Sequence, residues 1–345
     1  MLLPETEPPA SVLVDLIDGV GVLTLNRPAA LNALDLATVR ALTRQLDAWA
    51  DDPAIRAVLL RGTGERAFCA GGDVRSLYQL QRRGSPELGR FFDEEYALDC
   101  RIHRYPKPTI ALMDGVVMGG GMGISQGCTH RLVTERTRMA MPETAIGIFP
   151  DVGGSYFLSR LPPALGVYLG VVGDTLSGAD AVASGLADRL VPSAFLADLP
   201  VLIAAIDAEA WPAAPTHTAI PSLLTAPVRA AVDRHFGRAS VEEILASLAG
   251  ETDPALRPWV ERTQGLLAQR SPLMMCVTYA QLQRGRRLGL EDCFRMERTM
   301  MAHSFAHGDT MEGIRALLID KDRAPRWRHR AVAEVRREEV EAFFA

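Results

Sequence analysis

The pattern of hydrophobic and polar positions predicts short strands near the start of the chain. Residues 11–17 and 21–26 are apolar and β-branched, and an Asp-Gly turn joins them, which predicts a β-hairpin. Asp35 then occupies an N-cap position, because apolar residues recur after it at helical spacing. The residues that predict this first helix are Leu36, Val39, Leu42, Leu46 and Trp49.

Two short strands followed by a helix recur along the next part of the chain. Apolar runs predict strands at 57–60, 109–113, 131–134 and 138–141. Helical patterns are found at about 74–83 and 86–104, and again from Gly120 onward. Because the repeated unit is two strands and a helix, we expect a coiled stack of such units rather than a doubly wound sheet.

From about residue 153 the pattern becomes mostly helical. It predicts a helix at 178–185, a short strand at 186–191, and further helices at 273–284, 290–306 and 310–319. The composition shifts near residue 192, which makes this the candidate boundary. We therefore predict an α/β protein with a strand-rich core at 11–192, which holds the functional site, and a helical C-terminal region at 193–345, which completes the fold.

The composition excludes some classes of function and indicates the cellular compartment. The 345 residues are 48% hydrophobic, as is usual for a globular protein, and the net charge of −5 argues against nucleic-acid binding. The five cysteines are widely spaced, so we expect neither a disulfide framework nor a zinc site. No run of about 18 apolar residues predicts a membrane span. The first ten residues resemble neither a signal nor a transit peptide, which favours a cytoplasmic location.

Two glycine-rich turns are candidates for stabilising a negatively charged oxygen. They are CAGGD at 69–73 and MGGGMG at 118–123. Glycine turns expose backbone N–H groups, and each N–H directed at an oxyanion stabilises it by roughly 3 kcal/mol. Gly72 and Gly120 are the candidate donors. The alternative is that these glycines only form tight turns.

Two carboxylates follow in an apolar stretch, MPETAIGIFPDVGG at 141–154. Glu143 or Asp151 could act as a base or a nucleophile toward a carbonyl group. The alternatives are a surface charge for Glu143 and a helix cap for Asp151. Glu95, on a predicted helix, is a third candidate, with a solvated helix face as its alternative. Acids together with backbone donors suit acyl transfer without a cofactor.

Other motifs are weaker. Lys321 and Arg323, near Trp327, could meet an anionic ligand, although a plain basic stretch is the simpler interpretation. GISQG at 123–127 matches the serine-hydrolase pattern, but the preceding strand ends too early and Ser125 would lie inside a helix. The histidines that could complete such a triad are His217, His235, His303 and His307.

These motifs resemble those of the crotonase (enoyl-CoA hydratase/isomerase) superfamily. The similarity covers residues 12 to 330 and includes both glycine turns, the 141–154 stretch and NRP at 26–28. It implies a spiral of ββα units followed by a helical region. It also implies a CoA thioester whose carbonyl lies between the N–H groups of Gly72 and Gly120, with no metal and no cofactor beyond the CoA of the substrate.

The resemblance also assigns roles to single residues. Glu143 would be the catalytic carboxylate, acting as nucleophile or as general base. Asp151 would lie across the acyl pocket and orient a hydroxyl group or the water. The residues expected to contact the acyl group or CoA are Glu95 at the acyl end, and the backbone of Ala33, Ala70 and Gly72 along the adenine and pantetheine.

One departure distinguishes branches of the superfamily. A hydratase uses two glutamates to hold its water, and the first of these falls here on Gly123. The chain instead resembles the branch that hydrolyses 3-hydroxyacyl-CoA thioesters, through residues 94–96 and the string at 312–327. The favoured acyl group is 3-hydroxyisobutyryl, an intermediate of valine catabolism. The alternatives are an enoyl-CoA hydratase or isomerase and a non-catalytic acyl-CoA-binding protein. The resemblance leaves a homo-oligomer open, because crotonases are often trimers or hexamers but a chain with an added helical segment can assemble differently.

Overall fold

A computed structural model describes residues 10–208, 210–217 and 221–345 of the chain. Short strands alternate with helices as far as residue 190, and helices follow. The strands are β1 (Val12–Ile17), β2 (Val20–Leu25), β3 (Ala57–Gly62), β4 (Ala67–Cys69), β5 (Thr109–Met113), β6 (Val116–Met118), β7 (His130–Val133), β8 (Arg138–Ala140), β9 (Leu176–Ser177) and β10 (Arg189–Leu190).

The helices divide into a few among the strands and a larger group after them. Asp35 caps the first helix as predicted, because its carboxylate accepts the N–H of Thr38 at 2.8 Å. The helices are α1 (Leu36–Ala50), α2 (Val74–Arg82), α3 (Glu87–His103), α4 (Gly120–Gln126), α5 (Gly154–Phe157), α6 (Pro163–Val172), α7 (Gly178–Ser184), α8 (Leu199–Ala208), α9 (Ala226–Phe236), α10 (Val241–Ala249), α11 (Arg257–Leu267), α12 (Pro272–Gly285), α13 (Leu290–His307), α14 (Thr310–Ile314) and α15 (Arg337–Glu341).

The strands form two sheets that the chain visits in turn. The six-stranded sheet has the order β1-β2-β3-β5-β7-β10, and the four-stranded sheet has the order β4-β6-β8-β9. Neighbours are parallel except for the β1–β2 and β8–β9 pairs. From β3 to β8, each turn of the chain places one strand in the six-stranded sheet and the next in the four-stranded sheet before the following helical or loop segment. The spiral of ββα units predicted from the sequence is therefore confirmed.

Most element boundaries agree with the pattern within a few residues. Among the strands, the sequence pattern did not separate β4, β6 and β9 from the loops around them. Each has only two or three residues, which is too short for a period-two alternation to be recognised. The predicted helix at 310–319 is present as α14 and then a π-helical turn at Arg315–Ile319.

One hydrophobic cluster extends from the strands into the C-terminal helices. It includes Phe68 and Met139 from the four-stranded sheet and Met274 and Phe294 from α12 and α13. The helices after residue 192 thus share a core with the strands. The division at 192 itself stays a prediction. Within the described ranges, no helix is long and apolar enough to cross a membrane.

Candidate active site

Three segments of the candidate site follow three neighbouring parallel strands. Gly72 follows β4, Gly120 follows β6 and Glu143 follows β8. Because β4, β6 and β8 are adjacent and parallel, their carboxyl ends lie at one edge of the four-stranded sheet. Ligand sites of parallel sheets commonly form at that edge. The topology therefore brings together residues that are far apart in sequence.

The three segments open onto one cavity of about 150 Å³. A cavity of this size holds a molecule as large as benzene. Its polar wall contains Gly72, Gly120, Glu95, Glu143 and Asp151. The apolar wall comes from both parts of the chain, and includes Val74, Leu77, Phe91, Phe92, Ile148, Val152, Phe305, Ile314 and Leu317.

Among the described residues, no atom accepts the backbone N–H of Gly72 or of Gly120, which leaves both groups available to a ligand. Leu34 forms a parallel β-bridge with Gly72: the Leu34 N–H donates to the Gly71 carbonyl, and the Leu34 carbonyl accepts the N–H of Asp73. The N–H of Gly72 therefore points away from Leu34. Gly120 is the first residue of α4, and the first N–H groups of a helix have no acceptor within it. A Cβ atom placed on Gly120 would lie only 3.4 Å from the Gly72 nitrogen, so the two groups are close neighbours.

Glu143 begins a 3₁₀ turn directly after β8 and is 6% exposed. A Cβ atom placed on Gly119 would lie 3.1 Å from its Oε1 atom, so this carboxyl faces the second glycine turn. Its Oε2 atom is buried and has no hydrogen-bond partner among the described residues. Burial raises the pKa of Glu143 well above its usual value, and the nearby Asp151 raises it further. The surface-charge alternative is wrong.

Asp151 lies in the loop between that turn and α5, and it is also 6% exposed. The Tyr96 hydroxyl donates a 2.7 Å hydrogen bond to its Oδ2 atom. Burial raises the pKa of Asp151 to about 6, and the hydrogen bond from Tyr96 opposes that rise. Its side chain does not cap α5, which begins at Gly154 after Gly153, so the helix-cap alternative is wrong.

Glu95 lies on the buried face of α3 and is 2% exposed, so the solvated-face alternative is wrong. Its Oε1 atom has no partner in the described part of the chain, and it would be 2.6 Å from a Cβ on Gly120. Burial, together with the Asp151 charge, raises the pKa of Glu95 well above its usual value. Glu95 therefore lies next to Gly120.

Sequence reasoning missed Tyr96 and Asp99 on the same helix. Asp99 is fully buried, and a Cβ atom on Gly123 would lie 2.7 Å from its Oδ2 atom. The sequence spacing could have indicated Asp99, because it lies one helical turn after Glu95 and therefore on the same face of the helix. Tyr96 gave no comparable signal, because its partner Asp151 is distant in sequence.

Of two residues predicted to contact CoA, one lines the cavity and the other does not. Ala70 lines the cavity, whereas Ala33 does not. Ala33 is 9% exposed, and its carbonyl accepts a 2.6 Å hydrogen bond from Arg27. Lys321 and Arg323 are exposed on the loop after α14, and Trp327 is half-buried. These three residues do not line the cavity.

Ser125 does not occupy a nucleophile elbow. It lies within α4, is fully buried, and donates its hydroxyl hydrogen bond to the carbonyl of Met122. His235 is instead bound to Ser247 and Glu251, far along the C-terminal region. The serine-hydrolase alternative lacks a triad in the part of the chain that the structure describes.

The fold and the site define a class of protein. The model of the enoyl-CoA hydratase/isomerase family matches residues 20–344, and the chain belongs to this family. Among its relatives is the chicken protein named 3-hydroxyisobutyryl-CoA hydrolase, mitochondrial, which is 38% identical, covering 98% of this chain and 90% of the relative. The Arabidopsis thaliana protein named 3-hydroxyisobutyryl-CoA hydrolase 1 is 38% identical, with coverage of 97% and 91%.

Two solved structures share the whole architecture. A structure titled carnitinyl-CoA dehydratase from Mycobacterium thermoresistibile has a TM-score of 0.89 and 41% identity, covering 97% of this chain and 96% of the other. One titled enoyl-CoA hydratase from Rhodobacter sphaeroides has a TM-score of 0.87 and 39% identity, with 97% of both chains covered. The helical C-terminal region is thus part of the shared fold.

The relatives correct one expectation. The names of the chicken, zebrafish and Xenopus tropicalis proteins all describe mitochondrial enzymes. The cytoplasmic location expected from composition and the first residues is therefore wrong by this comparison. Widely spaced free cysteines are compatible with any reducing compartment, so they could not distinguish the two.

Proposed function

We propose that the protein hydrolyses the thioester of a small 3-hydroxyacyl-CoA, with 3-hydroxyisobutyryl-CoA as the favoured substrate. The observation that carries the proposal is the pairing, in one small cavity, of two free backbone N–H groups with the buried carboxyls of Glu143 and Asp151. The curated relatives named as 3-hydroxyisobutyryl-CoA hydrolases support the same activity.

In the proposed reaction the thioester oxygen lies between the N–H groups of Gly72 and Gly120. Attack on the carbonyl carbon moves charge onto that oxygen, where two preorganised donors stabilise it more than they stabilise the neutral ester. Both donors belong to the backbone at strand ends, so they need no reorganisation during the reaction. The C–S bond then breaks, and CoA leaves as a thiolate that takes up a proton.

Glu143 initiates the reaction by one of two routes. In the first, its carboxylate oxygen attacks the carbonyl carbon and forms a mixed anhydride, which water then hydrolyses. In the second, it removes a proton from water as the water attacks. Hydroxylamine distinguishes the routes, because it traps an anhydride as a hydroxamate on Glu143 that mass spectrometry detects. Neither route requires a cofactor beyond the CoA of the substrate.

The acyl end of the cavity suits a short chain with a hydroxyl group. The 3-hydroxyisobutyryl group is about as large as benzene, which a cavity of this volume can hold. Glu95 and Asp151 would face its hydroxyl group, because both carboxyls are buried at the cavity and the Oε1 atom of Glu95 has no partner among the described residues. Hydrolysis of this thioester would be a step of valine catabolism.

The second candidate is hydration of an enoyl-CoA, which the titles of the two solved structures favour. The position that would carry the first hydratase glutamate is Gly123. A Cβ atom there would lie 2.7 Å from both the Asp99 Oδ2 atom and Val152, so position 123 has no room for a glutamate side chain, and the carboxyl next to it belongs to Asp99. Hydrolysis needs no group at that position.

Parallel assays separate the two activities. Purified protein is incubated with 3-hydroxyisobutyryl-CoA and a thiol reagent, and separately with crotonyl-CoA while the enone absorbance is followed. We expect thiol release from the first and no loss of absorbance in the second. Loss of the enone signal without thiol release would instead support the hydratase. Tight CoA binding with neither signal would support a non-catalytic binding protein.

A further inference from the structure

The backbone beside Asp151 adopts a conformation that its own residues disfavour. Val152 has a φ angle of +50°, and a β-branched residue rarely occupies this left-handed region. Gly153 follows with a φ angle of +88°, so the chain makes a sharp turn before α5. Such a strained conformation persists only where surrounding contacts determine it, and it is common near functional sites.

Two side chains of the C-terminal region hold this turn. Glu297, on α13, is fully buried and accepts the N–H of Gly153 at 2.8 Å and the N–H of Ser155 at 2.7 Å. Gln281, on α12, is also fully buried, and its amide donates to the carbonyl of Pro150 at 2.6 Å and to the Ser155 hydroxyl at 2.7 Å. The residues on both sides of Asp151 and Val152 are therefore fixed.

We propose that Glu297 is a positioning residue for the proposed hydrolysis, because it holds the 150–155 turn so that the Asp151 carboxyl stays in the cavity. Tyr96, on α3, donates a hydrogen bond to that carboxyl. The position of the Asp151 carboxyl is therefore determined only if the backbone turn and the Tyr96 phenol are both fixed. Glu297 lines no part of the cavity. Its contribution therefore acts through Asp151.

The alternative is that Glu297 only stabilises the fold, as a remote cap for the short helix α5. Asp180 provides a matched control for that role. It is 1% exposed, lies outside the cavity, and accepts the N–H groups of Leu223 and Leu224 at 2.9 and 3.0 Å. Asp180→Asn and Glu297→Gln each replace a buried carboxyl group that accepts backbone N–H groups, three at Asp180 and two at Glu297, but only Glu297 is beside Asp151.

The inference rests on the proposed function, so thiol release by the unsubstituted enzyme is measured first. For Glu297→Gln we expect kcat to fall about ten- to hundredfold per folded molecule, because a misplacement of about 1 Å can cost that much. We expect KM to change less than about twofold, since ligand contacts remain. Asp180→Asn should lower the melting temperature at least as much, because Asp180 also accepts the hydroxyl groups of Ser177 and Ser222, and should leave kcat unchanged. Equal kcat values for the two variants would overturn the inference.

A second readout is independent of turnover. Amide exchange of the 150–157 peptide, followed by mass spectrometry, should quicken in Glu297→Gln and stay slow in Asp180→Asn. If the unsubstituted enzyme releases no thiol, the proposed function fails, and exchange still decides whether Glu297 holds the turn. Should Glu297→Gln not fold, Gln281→Met loosens the same turn. Faster exchange of the 150–157 peptide with an unchanged kcat in that variant would contradict the inference, because the turn would then not position Asp151 for the reaction.

Discussion

The strand-rich part of the chain, at residues 11–192, and the helical part, at 193–345, border the same cavity with different kinds of atoms. Backbone N–H groups and carboxyl groups come from the strand-rich part, at Gly72, Gly120, Glu95, Glu143 and Asp151. The helical part contributes apolar side chains to the wall, at Phe305, Ile314 and Leu317. The comparison suggests a division between reacting groups and binding surface.

The difference has a physical origin. The ends of adjacent parallel strands are rigid and close together, so groups placed there keep their positions during a reaction. Helices packed against a core present an apolar face and can close a cavity, but they need not supply polar atoms to it. Substitutions of the polar cavity groups in the strand-rich part should therefore change kcat, and those of wall residues in the helical part should change KM or stability. Glu297 is the exception proposed above.

Glu143→Gln should give the largest effect. The amide keeps the shape but cannot act as nucleophile or base, so we expect kcat to fall about 10²- to 10⁴-fold. CoA affinity, measured by calorimetry, should stay nearly unchanged because the proposed binding mode places CoA outside the acyl end. Glu338→Gln, an exposed change on α15, is the control. Substantial turnover by Glu143→Gln would remove Glu143 from the mechanism.

Asp151→Asn should slow the reaction at least about tenfold, because an amide cannot orient water or hydroxyl as a carboxylate does. The pKa of Asp151 is raised to about 6, so the ionised form is lost as the pH falls through that value. Activity of the unsubstituted enzyme should fall over the same range. Asp151 also raises the pKa of Glu143, so the acid limb that remains in the variant should move to lower pH. A pH profile of kcat/KM measures both the rate and the position of the acid limb. If neither changes in Asp151→Asn, Asp151 takes no part in the mechanism.

Tyr96→Phe tests the contact that fixes the Asp151 carboxyl. The Tyr96 hydrogen bond lowers the pKa of Asp151, so its loss should raise that pKa and move the acid limb to higher pH. The rate above that limb should fall only about two- to fivefold, as for one hydrogen bond. Tyr105→Phe, which loses a 2.7 Å hydrogen bond to Leu46 away from the cavity, should leave the profile unchanged. Identical profiles for all three enzymes would show that Tyr96 does not act on Asp151.

Much of the strand-rich part could be predicted because its signals are local. Strand alternation, the N-cap at Asp35 and the two glycine turns each depend on a few neighbouring residues. The sequence alone did not determine whether Glu143 and Asp151 are buried, since a carboxylate in an apolar stretch can also lie on the surface. The structure settles it through the order of β4, β6 and β8.

The contacts made by the helical part could not be predicted in the same way. Glu297 binds Gly153, and Gln281 binds Pro150, across more than a hundred residues of sequence. A glutamate on a helix is usually exposed, and no periodicity indicates that this one meets a strained turn. Such pairs depend on how the C-terminal helices pack against the strands, which the hydrophobic pattern alone does not specify.

Leu317→Ala should give the smallest effect and tests the helical side of the comparison. Leu317 lines the cavity but is 40% exposed, so its truncation removes apolar contact without burying a void. Such contact is equal in the ground state and the transition state, so KM should rise about two- to fivefold while kcat stays unchanged. Val201→Ala, an exposed change on α8 away from the cavity, should alter neither constant. A fall in kcat at constant KM would mean that wall residues of the helical part contribute to the chemical step. The division between reacting groups in the strand-rich part and binding surface in the helical part would then no longer hold.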